Sequence, residues 1–226
     1  MSLILSLETS TNVCSVALYK GEELLALSEI TIQKSHSSLL TVMIKDIVQH
    51  SGYTLNELKA VAVSAGPGSY TGLRIGSSVA KGLCYSLDIP LIAIDTLYAM
   101  AVSVNRHNMN GDLVCPMIDA RRMEVYYSLL DNKGNVMERS APKILDENSF
   151  SETLDNHSVL FFGNGALKFC ELVRENGNVK YVEGVYPSAK DIGILAWKAF
   201  QKEDFTDAIY FEPNYLKEFM SGARQN

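Results

Sequence analysis

The hydrophobic and polar positions at the start of the chain predict three strands followed by a helix. Residues 3–8, 13–19 and 22–32 are apolar or alternating segments separated by short polar turns, which is typical of antiparallel hairpins. Ser35, Ser37 or Ser38 can then cap a helix. Its apolar positions form a stripe wider than one core-facing side needs, and they are Leu39, Leu40, Met43, Ile44, Ile47 and Val48.

The next part of the chain predicts a parallel pair of strands. A buried strand at 61–65 and another at 91–94 enclose a helical pattern at 73–87. A strand, a helix and a strand joined by short connections form a right-handed crossover. A further helix is expected at 96–104, and the polar stretch 105–112 follows it. These elements predict a mixed α/β layer.

The second half of the chain repeats this plan. Strands are expected at 113–119, 123–130, 136–144 and 159–162, and Gly163-Asn164-Gly165 opens a helix that runs to about residue 176. The repeat predicts a second mixed sheet with its own flanking helices.

The polar stretch between the two halves is the best domain boundary. We therefore expect an N-terminal, partner-facing subdomain at 1–106 and a C-terminal subdomain at 107–226. An amphipathic helix at 189–201, capped by Ser188, is followed by an aromatic-rich tail at 210–217. We expect these last elements to pack across the waist between the subdomains.

A glycine-rich segment joins the strand at 61–65 to the helix at 73–87. Its sequence is Gly66-Pro67-Gly68-Ser69-Tyr70-Thr71-Gly72-Leu73-Arg74-Ile75-Gly76. Such a segment can direct free backbone N–H groups at an anion. It has neither the Gly-Lys-Ser/Thr of a Walker loop nor the spacing of a dinucleotide fingerprint. Two interpretations stay open: an anion or nucleotide site, and a structural turn from strand to helix.

Composition and charge exclude several classes of function. The net charge of −6 and the isoelectric point of about 5.3 argue against a protein that binds nucleic acid unaided. The sequence has no signal-peptide pattern and no apolar run of membrane-spanning length, which favours the cytoplasm. The four cysteines form no Cys-x-x-Cys pair and the four histidines no close pair, so we expect no metal site.

The chain resembles the TsaB family, also labelled glycoprotease-like, of the actin/Hsp70/sugar-kinase superfamily. The resemblance implies an α/β, duplicated actin-like (ribonuclease H-like) fold with two mixed-sheet subdomains and flanking helices. The motifs that carry it span nearly the whole chain in the family's order. They are Ile4-Leu5-Ser6-Leu7-Glu8-Thr9-Ser10, the glycine-rich segment, Ile89-Pro90-Leu91-Ile92-Ala93, Met117-Ile118-Asp119-Ala120-Arg121-Arg122 and Glu212-Pro213-Asn214-Tyr215-Leu216.

The resemblance also implies a role in threonylcarbamoyladenosine modification of tRNAs that read codons beginning with adenine. In that system a TsaD-type enzyme performs the transfer with a bound metal, and a TsaE-type ATPase takes part. The TsaB subunit is then a required scaffold without its own active site. Contact with tRNA is expected only through the complex, and a homodimer is an option for the isolated chain.

The absence of a TsaD-type metal pair supports that division of roles. That family's site has two histidines one helical turn apart, and the matching positions here are Thr96 and Met100, which cannot replace imidazole ligands. We expect no catalytic residue and no metal. The alternatives are a nucleotide-binding phosphotransferase of the actin-like superfamily and, with least support, a glycoprotease-type peptidase.

Candidate residues for an anion or nucleotide lie at the ends of two predicted strands. In the superfamily an acidic residue often ends the first strand, and Glu8 occupies that place. Its neighbours form either a relic phosphate loop or a hairpin turn with local side-chain bonds. We expect no resident cofactor and at most weak ATP or ADP binding. The candidates are Glu8, Thr9, Ser10, Gly66, Gly68, Ser69, Gly72 and Arg74.

Two helices supply candidates for a partner interface. One carries the wide apolar stripe, and the other has small residues that permit close backbone approach. We expect part of both to pack against a TsaD-type protein, or against a second copy of this chain. The candidates are Leu39, Leu40, Met43, Ile47, Gly72, Gly76, Val79 and Ala80.

Arg121 and Arg122 lie near a hairpin end. They are either a contact for an anionic partner or solvated side chains.

Overall fold

The computed structural model describes residues 2–31 and 36–217, and within them it contains two five-stranded sheets. The strands of the first sheet are β1 Leu3–Glu8, β2 Val13–Lys20, β3 Glu23–Thr31, β4 Leu58–Gly66 and β5 Leu91–Asp95. Those of the second sheet are β6 Leu113–Asp119, β7 Glu124–Leu130, β8 Val136–Ile144, β9 Val159–Phe162 and β10 Val179–Val182.

Helices flank both sheets. They are α1 His36–His50, α2 Tyr70–Leu87, α3 Thr96–Asn105, α4 Ser151–Asn156, α5 Ala166–Leu172 and α6 Ala189–Gln201. In the first half, α1 and α2 cover one face of the sheet while α6 covers the other. In the second half, α5 and α3 take the two corresponding faces.

The two sheets have the same topology. Their strand orders are β3-β2-β1-β4-β5 and β8-β7-β6-β9-β10. In each, the central strand is antiparallel to the hairpin partner that follows it and parallel to the strand on its other side. The last two strands of each order are also parallel. The expected duplicated actin-like fold with two mixed sheets is confirmed.

Both faces of the central strand β1 are buried, because helices cover each of them. Leu3, Leu5 and Leu7 face α1 and α2, whereas Ile4 faces α6. All six residues are therefore buried, including the polar Ser6 and Glu8, as expected for a strand covered on both sides.

The predicted elements need several corrections. Strand β4 begins at Leu58, three residues before the predicted start. Helix α2 begins at Tyr70, three residues early, because the Ser69 hydroxyl caps it by accepting from the Gly72 N–H at 3.3 Å. The helix after Gly165 ends at Leu172. Helix α4 and strand β10 were not expected. Since α1 starts at His36, Ser37 and Ser38 lie inside it, while Ile32 and Ser35 are outside the described residues.

The end of the described chain returns to the first sheet. The Tyr19 hydroxyl donates to the Lys190 carbonyl at 2.8 Å, and the Ala189 N–H donates to the Ser15 hydroxyl at 2.8 Å. These bonds hold the start of α6 against β2. The division of the chain into 1–106 and 107–226 stays a prediction.

Candidate functional site

The glycine segment, residues 66–76, packs directly on the turn between β1 and β2. A Cβ on Gly68 would lie 2.5 Å from the Ser10 carbonyl oxygen. A Cβ on Gly72 would overlap the Thr9 carbonyl oxygen, and one on Gly76 would overlap the Thr9 hydroxyl. Gly68 lies just before the Ser69 cap, and Gly72 and Gly76, four residues apart, lie on one side of the helix start. They let it approach the turn more closely than any other residue type would.

Hydrogen bonds join the same two segments. The Ser69 N–H donates to the Ser10 carbonyl at 2.6 Å, and the Thr9 hydroxyl donates to the Gly72 carbonyl at 2.7 Å. Thr9 and Ser10 are buried beneath the glycine segment. The N–H groups of Ser69 and Gly72 thus have partners within the chain. The geometry supports the structural interpretation of the segment, and anion binding there stays a prediction.

Glu8, at the end of β1, is fully buried behind this contact. One carboxylate oxygen, Oε1, accepts from the Ser10 N–H at 2.5 Å. Within the described part of the chain the other oxygen, Oε2, has no hydrogen-bond partner. Burial raises the pKa of Glu8 to about 7, although the hydrogen bond from the Ser10 N–H acts in the opposite direction. A carboxyl in this setting is largely shielded from solvent and only part ionised at neutral pH.

The second half contains an equivalent turn between β6 and β7. Asp119 ends β6 as Glu8 ends β1, and its Oδ1 accepts from the N–H two residues later, that of Arg121, at 2.6 Å. Glycines again approach the strand end: a Cβ on Gly163 would overlap the Met117 carbonyl oxygen, and one on Gly165 would lie 2.8 Å from the Ile118 carbonyl carbon. The duplication therefore includes the strand-end turns.

The tail after α6 connects the glycine segment to the second sheet. The Asn214 N–H donates to the Ala65 carbonyl at 2.7 Å. The next residue, Tyr215, places its ring 4.6 Å from that of Tyr70, and the Arg74 guanidinium lies 5.1 Å from the Tyr70 ring. Lys217 pairs with Glu124, the first residue of β7. Of the predicted anion candidates, Arg74 is the one with an exposed cationic side chain.

Comparisons with known proteins decide the family. Residues 28–219 match the family model described as TsaD: tRNA N6-adenosine threonylcarbamoyltransferase. A Haemophilus influenzae protein named tRNA threonylcarbamoyladenosine biosynthesis protein TsaB is 42% identical, over 95% of this chain and 93% of that protein. An Escherichia coli protein of the same name is 32% identical, over 95% and 94%. The chain belongs to the TsaB family.

Solved structures agree with this placement in the TsaB family. One is described as an uncharacterized protein with similarity to peptidase YEAZ from Pseudomonas aeruginosa. It is 27% identical, has a TM-score of 0.83, and the match covers 96% of this chain and all of that one. The activator of the 2-hydroxyisocaproyl-CoA dehydratase from Clostridium difficile is 10% identical, with a TM-score of 0.53 over 89% of this chain and 97% of that one. The second likeness concerns the fold alone.

The two positions predicted to correspond to the TsaD-type metal ligands lie in the interior of this TsaB-family chain. Thr96 and Met100 are fully buried at the start of α3. The Met100 methyl group lies 3.0 Å from where a Cβ on Gly163 would be, so it fills the space between α3 and the second glycine turn. Across residues 2–31 and 36–217, no group of three His, Cys, Asp or Glu side chains could hold a metal ion. No described helix has the length and apolar content to cross a bilayer.

Most of the residues predicted for a TsaB partner interface are covered by other parts of this chain, and the interface itself stays a prediction. Leu40, Met43, Ile47 and Ala80 are buried in the core of this chain, because α1 packs on both the sheet and α2. Gly72 and Gly76 are covered by the first turn. Leu39 and Val79 remain half-exposed. The exposed apolar side chains of the two helices include Val42, at 51%, and Tyr85, at 87%.

Proposed function

We propose that this chain is a non-catalytic scaffold and activating partner of a TsaD-type enzyme. The reaction is threonylcarbamoyladenosine modification of tRNAs that read codons beginning with adenine, and we place it in the cytoplasm. The proposal rests on the packing at the strand ends. Residues 68–76 cover Thr9 and Ser10, so the described residues leave no open site at the end of β1. Met100 is buried at the position where the related enzyme would need a metal ligand. Family membership supplies the reaction.

The chemistry of the described side chains supports a role without catalysis. Catalytic acids and bases must reach a substrate, whereas Glu8 is enclosed by the chain itself. Asp119 is exposed in part but is paired with Lys168 at 2.9 Å. The cysteines Cys14, Cys84 and Cys115 are buried, and burial raises the pKa of each thiol. None of these groups has the setting of an activated nucleophile.

The remaining parts of the proposal concern partners and ligands. A TsaE-type ATPase acts with the complex, and the isolated chain forms a homodimer through the surface that the enzyme otherwise covers. No cofactor resides in the chain, and any ATP or ADP binding is weak. These statements follow from the role proposed for the family, and each needs its own binding measurement.

We assign the enzyme contact to the outer face of α1 and α2. Tyr85 is the most exposed aromatic side chain there, and aromatic anchors of this kind dominate many interfaces. An aspartate at Met43 or Ile47 would not test this contact, since both side chains are buried and the substitution would unfold the chain. A test has to use exposed positions.

Replacing Tyr85 with alanine is expected to weaken binding to the TsaD-type enzyme about 30-fold, the effect of losing an aromatic hot spot of about 2 kcal/mol. Stability should not change, because the side chain is exposed. Tyr186→Ala is the matched control, as Tyr186 is exposed in the second half of the chain. Titration calorimetry on both variants gives the comparison. Equal affinities for the two variants would remove Tyr85 from the interface.

A further inference from the structure

The two equivalent strand-end turns differ in one respect that the duplication does not explain. In the first half, the residues after the acidic side chain are Thr9 and Ser10, and the glycine segment buries them. In the second half, the corresponding turn ends in Arg121 and Arg122, both exposed. We call residues 119–124 the arginine turn. The arginine turn is therefore exposed to solvent where the first turn is buried, and it carries two cationic side chains.

The backbone of the arginine turn is held in an unusual conformation. Arg121 and Arg122 have φ values of 72° and 50°, in the left-handed region that costs non-glycine residues energy. Lys168, on α5, stabilises this conformation through three hydrogen bonds. Its Nζ donates to Asp119 Oδ1 at 2.9 Å, to the Arg122 carbonyl at 2.7 Å and to the Glu124 carbonyl at 2.8 Å. The turn is therefore a rigid support for the two guanidinium groups.

The charges around the turn leave both guanidinium groups without a counter-ion. The nearby carboxylates form ion pairs with other residues, since Asp119 pairs with Lys168 and Glu124 pairs with Lys217. Within residues 2–31 and 36–217, neither Arg121 nor Arg122 takes part in an ion pair. A chain with a net charge of −6 thus concentrates unpaired positive charge at one rigid turn.

An aromatic and cationic surface continues from the arginine turn along the tail. Burial raises the pKa of Tyr126, and the positive charges of Lys217 and Arg121 act against it, which places both cations near this ring. Two residues before Lys217, the Tyr215 ring contacts the Tyr70 ring at an interplanar angle of 40°, and the Arg74 guanidinium lies beside Tyr70. Cations interleaved with aromatic rings are typical of surfaces that bind unpaired nucleotides of RNA.

We propose that the arginine turn contacts the phosphodiester backbone of the tRNA directly, in a single-stranded part of the molecule. This inference rests on the proposed function, and it adds a contact that the expectation of tRNA binding only through the complex did not include. Guanidinium groups suit this role because their fork of donors matches phosphate oxygens. The complex with the enzyme supplies the remaining affinity.

The test compares two double variants in the complete complex with the TsaD-type enzyme. One is Arg121→Ala/Arg122→Ala, and the control is Arg139→Ala/Arg174→Ala, which removes two exposed arginines elsewhere. Fluorescence anisotropy measures the binding of unmodified tRNA at several salt concentrations. We expect about a 10-fold loss of affinity in the first variant only. The slope of log affinity against log salt should fall by about 1.4, since each phosphate contact in a single strand contributes about 0.7.

A third variant, Arg121→Lys/Arg122→Lys, is the control for a folding defect caused by changing these positions. It keeps both charges, so it should keep most of the tRNA affinity and of the salt slope. Unchanged tRNA affinity of the alanine variant in an assembled complex would overturn the inference and leave the proposed function intact. Loss of assembly with the enzyme, in place of tRNA affinity, would also overturn it, because the turn would then be a protein contact. If the unaltered chain did not bind the enzyme, the proposed function itself would fail.

Discussion

Replacing Gly72 with alanine is expected to lower the free energy of unfolding by about 3 kcal/mol, at the upper end of what overpacking costs. The added Cβ would overlap the Thr9 carbonyl oxygen, which is buried backbone and cannot move as a side chain can. The helix start or the first turn would have to shift. Urea denaturation followed by circular dichroism measures the difference.

Gly82→Ala is the matched control for this substitution. Gly82 lies in the same helix, and a Cβ there would meet no atom within 4 Å. Alanine should therefore raise the free energy of unfolding by about 0.5–1 kcal/mol through its better helix propensity. The two changes are identical in chemistry and opposite in expected sign. Stabilisation by both would show that α2 does not pack on Thr9 in solution.

Replacing Glu8 with glutamine is expected to stabilise the protein above neutral pH. The folded-state pKa of about 7 lies above the ordinary value of 4.5, so between these values the folded state holds the proton more often than the unfolded state does. Stability from this group is present below pH 4.5 and is lost as the pH rises through 7. A shift of this size corresponds to about 3 kcal/mol. Glutamine keeps an oxygen that can accept from the Ser10 N–H.

The measurement is the free energy of unfolding of both proteins between pH 4.5 and 8.5. The difference between them isolates Glu8, because the pKa values of Asp95 and Asp191 are also raised by burial and affect both proteins alike. The stability of the variant relative to the unaltered chain should increase up to about pH 7 and then become constant. Parallel curves over the whole range would show that Glu8 is solvated in the folded state.

Most of the fold could be predicted because its strands and helices are bounded by strong local signals. Strands β8 and β9 and helix α6 have the predicted limits, since turn residues or a serine cap mark their ends. Strand β9, with four residues, is an unbroken apolar run, whereas the four residues of strand β10 and the six of helix α4 mix polar and apolar side chains, and both were missed. Their hydrophobic patterns are too short to separate from loops.

The contacts at the site were harder to predict than the elements. The sequence marked Gly72 and Gly76 as small residues that permit close approach, but their partner, Thr9, lies 63 residues before Gly72. A glycine that makes room for a ligand and one that makes room for a backbone carbonyl have the same sequence signal. Only the three-dimensional contact separates the two interpretations.

The apolar stripe of α1 shows the same limit for surfaces. Its width predicted that some of its apolar side chains would be left exposed for a partner. Met43 and Ile47 are nevertheless buried, because α1 contacts α2 as well as the sheet. Helix–helix packing within a chain and between chains uses the same residue types. The left-handed backbone of Arg121 and Arg122 also had no signal in the sequence, since non-glycine residues adopt it only where tertiary contacts such as those of Lys168 impose it.

Reconstituted tRNA modification tests the proposed scaffold role. The TsaD-type enzyme, the TsaE-type ATPase, ATP, an activated threonylcarbamoyl donor and unmodified tRNA are combined with and without this chain. Mass spectrometry of the digested tRNA then measures threonylcarbamoyladenosine. The account predicts the modified nucleoside only when enzyme and chain are both present. It also predicts neither modification nor ATP turnover by the chain alone. Equal modification without the chain, or modification by the chain without the enzyme, would contradict the account.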